Sequence, residues 1–192
     1  MNGLAYLGLK MRAMALLVIG RNEQALGVFD EMVLRFGERS YPRASRAHLH
    51  AQAGRHLAAL ADYEALLQKQ PDDARTWFNK GFVLELLGRW DEALAAFRRS
   101  TELSSELDRA WYGQGLVLIR MQRFDEAIVA LKRNTELQPM SPHGWYQLAR
   151  IHVDRKQPDE AVKIIRHLKG FEPKVAAQLE RETALLVGGT GP

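Results

Sequence analysis

The stretch "GRWDEALAAF", Gly88 to Phe97, holds three residues that return at a fixed interval. Asp91-Glu92-Ala93 comes back as Asp125-Glu126-Ala127 and as Asp159-Glu160-Ala161, each copy 34 residues after the one before. Extended in both directions, the interval picks out residues not used to find it. An alanine column holds Ala25, Ala59, Ala93, Ala127 and Ala161. Twelve residues earlier every position is small: Ala13, Ala47, Gly81, Gly115 and Ala149. Four residues after the alanine every position is large and apolar: Phe29, Tyr63, Phe97, Leu131 and Ile165. Twelve residues after it stand the turn formers Gly37, Pro71, Ser105, Pro139 and Pro173. A period of this length marks an array in which each unit buries its apolar face against its neighbours.

The period divides the chain into a single array over 1–187. Its units are 6–39, 40–73, 74–107, 108–141 and 142–175, followed by an amphipathic segment, 176–187, expected to form a capping helix. The closing 188–192, "GGTGP", is expected to be a disordered tail. Each unit reads as two helices. In the third, Arg75 to Leu87 is helical in pattern, Gly88-Arg89 breaks it, and Asp91 to Leu103 is helical again. Gly20, Gly54 and Gly88 supply the left-handed conformation that ends a first helix. Gln122 and Lys156 replace them in the fourth and fifth units, so those turns are expected to close differently. Pro158 suits the opening of a second helix, where a missing N–H costs little. Acidic residues in a first turn favour the positive end of the helix, and the aspartates are candidate caps. The "DEA" carboxylates therefore read as helix starts rather than catalytic acids.

The unit "AWYGQGLVLIRMQRFDEAIVALKRNTELQP", Ala110 to Pro139, resembles a tetratricopeptide repeat (TPR). The resemblance rests on Trp111, Gly115, Ala127 and Pro139, with Leu131 at the large apolar position; Trp77 and Trp145 repeat the tryptophan. It implies an all-α fold: a right-handed superhelical solenoid of five helix-turn-helix repeats plus a C-terminal capping helix, with first helices lining a concave surface. It also implies a non-catalytic protein–protein interaction scaffold or adaptor. The RNA-reading pentatricopeptide family is set aside, because its usual period is 35 and it lacks the tryptophan–glycine–alanine set. In the second unit Arg43 takes the tryptophan position, and the first unit has Leu9 there. Some heat-shock co-chaperones of the family grip an acidic C-terminal peptide with lysine, asparagine and arginine. Asn79 and Arg109 match that pattern, whereas Ala44, His48 and Gly113 stand where the other groups belong, so that clamp is incomplete.

Composition narrows the function further. The 192 residues are 46% hydrophobic and 26% charged, which suits a folded chain and argues against disorder. There is no cysteine, which removes disulfides, thiolate metal sites and cysteine nucleophiles together. A net charge of +4 admits acidic partners and falls short of a nucleic-acid footprint. "AMALLVIG", Ala13 to Gly20, is too short to span a bilayer. It has the look of a signal core behind Lys10 and Arg12, but it obeys the repeat, so a cytoplasmic chain without membrane insertion is expected. His48 and His50 point about 200° apart on a helix and cannot chelate together. Gly113 and Gly115 lie inside a helix rather than in a phosphate loop, and no serine or histidine has the context of a nucleophile. No cofactor, metal or enzymatic activity is expected.

On a helical wheel Trp111, Gly115 and Leu118 share one face, while Arg109, Tyr112, Leu116, Ile119 and Arg120 lie away from it. That outer side is not polar. One residue after each tryptophan stand Phe78, Tyr112 and Tyr146; four later come Phe82, Leu116 and Arg150. Arg75, Arg109 and His143 flank them, with Asn79 and Gln147 among them. The candidate binding residues are thus Arg75, Phe78, Asn79, Phe82, Arg109, Tyr112, Leu116, Arg120, Tyr146 and Arg150. An aromatic row with basic neighbours suits an apolar or acidic peptide or protein segment. Two alternatives stay open for the row: packing against neighbouring helices or the tail helix, and self-assembly through a second copy of the chain. A third reading is weak nucleic-acid binding through the second repeat. Arg39 to Ala61 contains no acid and carries Arg39, Arg43, Arg46 and Arg55 with His48, His50 and His56.

Overall fold

Apolar residues at helical spacing, punctuated by short turns, wind the described part of the chain into helices. The computed structural model describes residues 2–184 and has eleven α-helices and no strand among them. Four pairs form hairpins: α1 (Asn2–Val18) with α2 (Asn22–Arg35), α3 (Ser40–Gln52) with α4 (His56–Lys69), α7 (Asp108–Arg120) with α8 (Phe124–Leu137), and α9 (Pro142–Asp154) with α10 (Pro158–Lys169); α5 (Ala74–Leu86) and α6 (Trp90–Leu103) stand between them in the chain. The eleventh, α11 (Pro173–Thr183), follows them. Residues 185–187 of the expected capping segment and the tail 188–192 lie outside the described residues.

Two compact units divide the chain, 1–89 and 90–192. In the first, each helix from α1 to α4 packs against the one that follows it; in the second, each from α6 to α10 does the same, and α11 also meets α9. The repeat columns form the core of both. Ala25, Ala59, Ala93, Ala127 and Ala161 are fully buried, as are the large residues Phe29, Leu131 and Ile165 four positions on. Small size is required where helices touch: a Cβ on Gly115 of α7 would sit 2.6 Å from Leu131 of α8. In the second unit Ala176 and Leu179 of α11 cover Ala149, Ile165 and Leu168, so α11 closes the last apolar face.

The recurring tryptophan has a second role that the periodicity did not disclose. The indole N–H of Trp77 donates to the carbonyl of Pro71 at 2.7 Å, that of Trp111 to Ser105 at 2.9 Å, and that of Trp145 to Pro139 at 2.9 Å. Three of the first helices, α5, α7 and α9, are thereby tied to the turn that precedes each.

Two expectations are corrected. The turns at Gln122 and Lys156 close in the same way as the glycine turns: both residues adopt φ 58°, beside 74°, 73° and 72° at Gly20, Gly54 and Gly88. The same pair of backbone bonds closes each turn, for example Arg123 N–H to Leu118 at 2.9 Å and Arg55 N–H to His50 at 2.8 Å. Asp125 and Asp159 of "DEA" do not cap. In α8 and α10 the cap positions are Arg123 and Gln157, neither of which makes a side-chain cap bond, and the acids lie within the first turn. There they act through charge and through ion pairs, as when Arg123 grips Glu126 at 2.7 and 2.8 Å.

Candidate peptide-binding surface

The outer sides of the first helices carry the candidate residues, and each unit presents its own set. In the first unit α5 places Arg75 in solvent, leaves Phe78 and Asn79 half-buried and exposes Phe82 by 46%. Asp73 caps this helix, accepting from the Arg75 backbone N–H at 3.1 Å and from the Thr76 hydroxyl at 2.6 Å, which fixes where these side chains start.

In the second unit α7 offers exposed Arg109 and Arg120 with half-buried Tyr112 and Leu116; α9 offers half-buried Tyr146 and exposed Arg150. Gly113, one residue after Tyr112, lets α7 lie against the Phe97 ring of α6, where an added Cβ would come within 2.6 Å. The Tyr112 ring lies 6.4 Å from that of His143. A cavity of about 390 Å³ opens beside them, lined by Tyr112, Pro142, His143, Tyr146 and Gln147 and closed by Val175 and Gln178 of α11.

The tail helix enters the site at one point. The Tyr146 hydroxyl donates to the Glu182 carboxylate at 2.6 Å, and Arg150 Nη1 donates to the same carboxylate oxygen at 3.1 Å and to the Tyr146 oxygen at 3.3 Å. Gln178 donates to the other carboxylate oxygen at 2.7 Å. The bond from Tyr146, then that from Gln178, holds the Glu182 carboxyl below the usual carboxylate range, and the bond to Glu182 raises the Tyr146 hydroxyl. A tyrosine and an arginine one helical turn apart thus form a two-pronged holder for a carboxylate. Of the sequence-derived residues, the structure brings Tyr112 and Tyr146 to one pocket, and Arg150 reaches it only through its bonds to Tyr146 and Glu182; Arg109, Leu116 and Arg120 share the α7 surface without lining it.

A larger hollow of about 540 Å³, unforeseen from the sequence, lies between α8, α9 and α10. Ile128, Trp145, Leu148 and Ile164 are among its apolar lining, with Lys132, His152 and Arg155 alongside them. The signal was available: His152 and Arg155 stand where the preceding repeat has Leu118 and Met121.

The basic second repeat is not a free cationic face. Arg46 makes a bidentate pair with Asp62, Nε to Oδ2 at 2.8 Å and Nη2 to Oδ1 at 2.6 Å, and reaches Asp30 at 2.9 Å. Arg43 adds a bond to Asp62 at 3.2 Å. Arg39 lies over the Tyr6 ring at 4.1 Å and Arg55 pairs with Glu23. The alternative of a phosphate contact here loses support: Arg43, Arg46 and Arg55 are answered from within, by acids 16 to 32 residues away in sequence. Among the described residues no group of three or more histidines and carboxylates could hold a metal, and no helix is long and apolar enough to cross a membrane.

Known structures of the same architecture are abundant. A MamA structure from Desulfovibrio magneticus RS-1 aligns with a TM-score of 0.78 at 20% identity, over 92% of this chain and 96% of that one. A tetratricopeptide repeat protein from Parabacteroides merdae aligns at 0.82 with 17% identity, over 94% and 74%. YrrB, described as a TPR protein with an unusual peptide-binding site, aligns at 0.74 with 18% identity, over 88% of each chain. No curated protein matches the sequence. These likenesses are of fold. The family model for the tetratricopeptide repeat matches residues 45–107 and 109–171, more than half of the sequence. With its periodic core, its helical hairpins and that match, the chain belongs to the tetratricopeptide repeat family.

Proposed function

We propose that the repeats bind an apolar or acidic segment of another protein on the outer side of the first helices, each of the two units offering its own contacts. Tetratricopeptide repeat proteins are in general non-catalytic scaffolds for protein–protein interaction, which supports the class. The proposed contacts are Phe78, Phe82, Tyr112, Leu116 and Tyr146 as apolar anchors. Arg75, Arg109, Arg120 and Arg150, with Asn79, select charge and polarity. The observation that carries the reading is the Tyr146–Arg150 holder: it already grips a carboxylate, Glu182, beside a partly aromatic cavity. An acidic side chain next to an apolar one matches that arrangement, and aromatics with arginine are the residues that most often dominate interface energetics.

The test is a paired capture from cell extract with two baits. One is the native chain; the other carries Phe78→Ala, Tyr112→Ala and Tyr146→Ala and is checked for an unchanged helical spectrum. A protein retained by the first and lost by the second, with affinity reduced at least about tenfold when remeasured with purified partner, is expected. Equal retention by both baits would sink the reading. Self-association through this row, the alternative, would appear as native chain captured by the first bait alone.

A further inference from the structure

We propose that the hollow between α8, α9 and α10 is a binding site for a small apolar carboxylate, held by Lys132 and His152 over Trp145 and Ile164. It shares no residue with the proposed peptide contacts, so neither reading depends on the other.

The preceding repeat shows what the same place holds elsewhere. There an ion cluster ties α6 to α8. Arg98 of α6, the counterpart of Lys132, donates to Glu126 of α8 at 2.8 Å, and Arg123 donates to the same carboxylate at 2.7 and 2.8 Å. In the last repeat Glu160 stands in place of Glu126, but it has lost both partners. Gln157 replaces Arg123, and Glu160 pairs with Lys163 of its own helix at 2.6 Å. Lys132 makes no side-chain hydrogen bond or ion pair among the described residues.

The floor differs as well. In the preceding repeat Gln114 and Leu118 of α7 are buried, and Gln114 donates to the Thr101 hydroxyl of α6 at 2.8 Å. Their counterparts on α9 are Leu148 and the half-buried His152. His152 Nδ1 lies 2.8 Å from Gln157 Oε1. An amide oxygen only accepts, so Nδ1 carries the proton and Nε2 is left for a ligand. The volume enclosed, about 540 Å³, falls in the range of small-molecule sites.

Charge selects the occupant. Around the hollow Arg155 is held by Asp125, Glu136 by Arg133 and Glu160 by Lys163. The Lys132 ammonium is left unanswered, and its counterpart Arg98 shows what a cation at this position takes, a carboxylate. The ligand's acid thus does for Lys132 what Glu126 does for Arg98 one repeat earlier. Beneath it Trp145, Leu148 and Ile164 offer apolar surface for the rest of the molecule. A small molecule suits the site better than a protein segment. The exposed lining residues are Lys132, Glu136, Gln157 and Glu160, all polar, so a chain laid across the mouth would desolvate them.

The test is an NMR titration of the isotope-labelled chain with phenylbutyrate, a carboxylate on an apolar body of roughly a dozen heavy atoms in all. The indole N–H signal of Trp145 is expected to move and to saturate with a Kd on the order of a millimolar, while those of Trp77 and Trp111 stay in place. Phenylbutyramide, the neutral counterpart, is expected to bind about fivefold more weakly. So is phenylbutyrate to Lys132→Gln, a change at an exposed position that leaves the helical spectrum unaltered. No saturable shift, equal affinity for acid and amide, affinity unchanged by Lys132→Gln, or shifts centred on Tyr112 and Tyr146 would each overturn the proposal. A capped Ala-Glu-Leu-Ala peptide represents the competing source. If it bound at Trp145 more tightly than phenylbutyrate, the hollow would belong to an acidic residue of a partner protein and the free acid would be overturned.

Discussion

Gln122 and Lys156 occupy a backbone conformation that L-residues adopt at a cost. Both sit at φ 58° in turns whose counterparts elsewhere are Gly20, Gly54 and Gly88. The left-handed region costs an ordinary residue about 1–2 kcal/mol, and glycine returns part of that gain through its greater freedom when unfolded. Gln122→Gly and Lys156→Gly are therefore expected to stabilise the fold by about 0.5–1 kcal/mol each in urea titrations. Gly54→Ala supplies the mirror test: an added Cβ there meets nothing within 4 Å, so any loss of stability is conformational rather than steric. Equal stabilities for glycine and alanine at position 54 would show that the backbone bonds alone set these turns. The tryptophans obey a different logic. Their indole donors hold the carbonyls of Pro71, Ser105 and Pro139, so the residue type matters for its N–H as much as for its bulk.

The second hairpin, α3 with α4, breaks that rule and compensates. Arg43 replaces the tryptophan, and Asp62, 3% exposed, stands where the next two repeats have Ala96 and Ala130. Arg46 and Arg43 both converge on Asp62, whose hydrogen bond is the main cause that raises the Arg46 guanidinium. Removing the shared acid leaves two arginines facing each other in a part-buried site, so Asp62→Ala is expected to cost about 3 kcal/mol. Converting the cluster to the pattern of the neighbouring repeats, with Arg43→Trp and Arg46→Gln added, should recover most of it. Failure of the triple variant to regain stability would mean that the hairpin depends on the ion pairs beyond their mutual compensation. This cluster also marks the limit of what was legible in the sequence. The period exposed the helices, the buried alanine column and the family, because those follow from spacing alone. It did not expose Asp62, which lies 16 and 19 residues from the arginines it binds and breaks an apolar column, so a free basic face stayed open as an alternative for these arginines. The Tyr146–Arg150 holder was half legible: the residues stood in the aromatic row, but Glu182 lies 32 and 36 residues away on the tail helix, where no repeat column predicts it.

Across the whole molecule the titrating groups set opposite limits at the two ends of the pH scale. Glu23, Glu126, Glu160 and Glu182 are all held below the ordinary value of 4.5, chiefly by hydrogen bonds from Arg55, Arg123, Lys163 and Tyr146 respectively. A carboxyl depressed in the folded state stabilises it above its unfolded value and loses that contribution as pH falls through the folded one. The melting temperature should therefore decline from near pH 4.5 downward. Because all four groups lie in solvent, the decline should be shallow and should flatten in concentrated salt. Tyr63 acts at the other end. Burial, and secondarily the charge of Asp62, push its hydroxyl from 10.0 up to about 12. A group raised in the folded state contributes fully below its unfolded value, so this contribution disappears as pH rises from about 10 through 12. Tyr63→Phe cannot ionise and should flatten the alkaline limb while leaving the acid limb in place. Melting curves of the two forms from acid to alkaline pH check both limbs at once. An alkaline limb unchanged by Tyr63→Phe would assign it instead to lysine deprotonation, with Lys163 the leading candidate, since its pairing with Glu160 raises it in the folded chain.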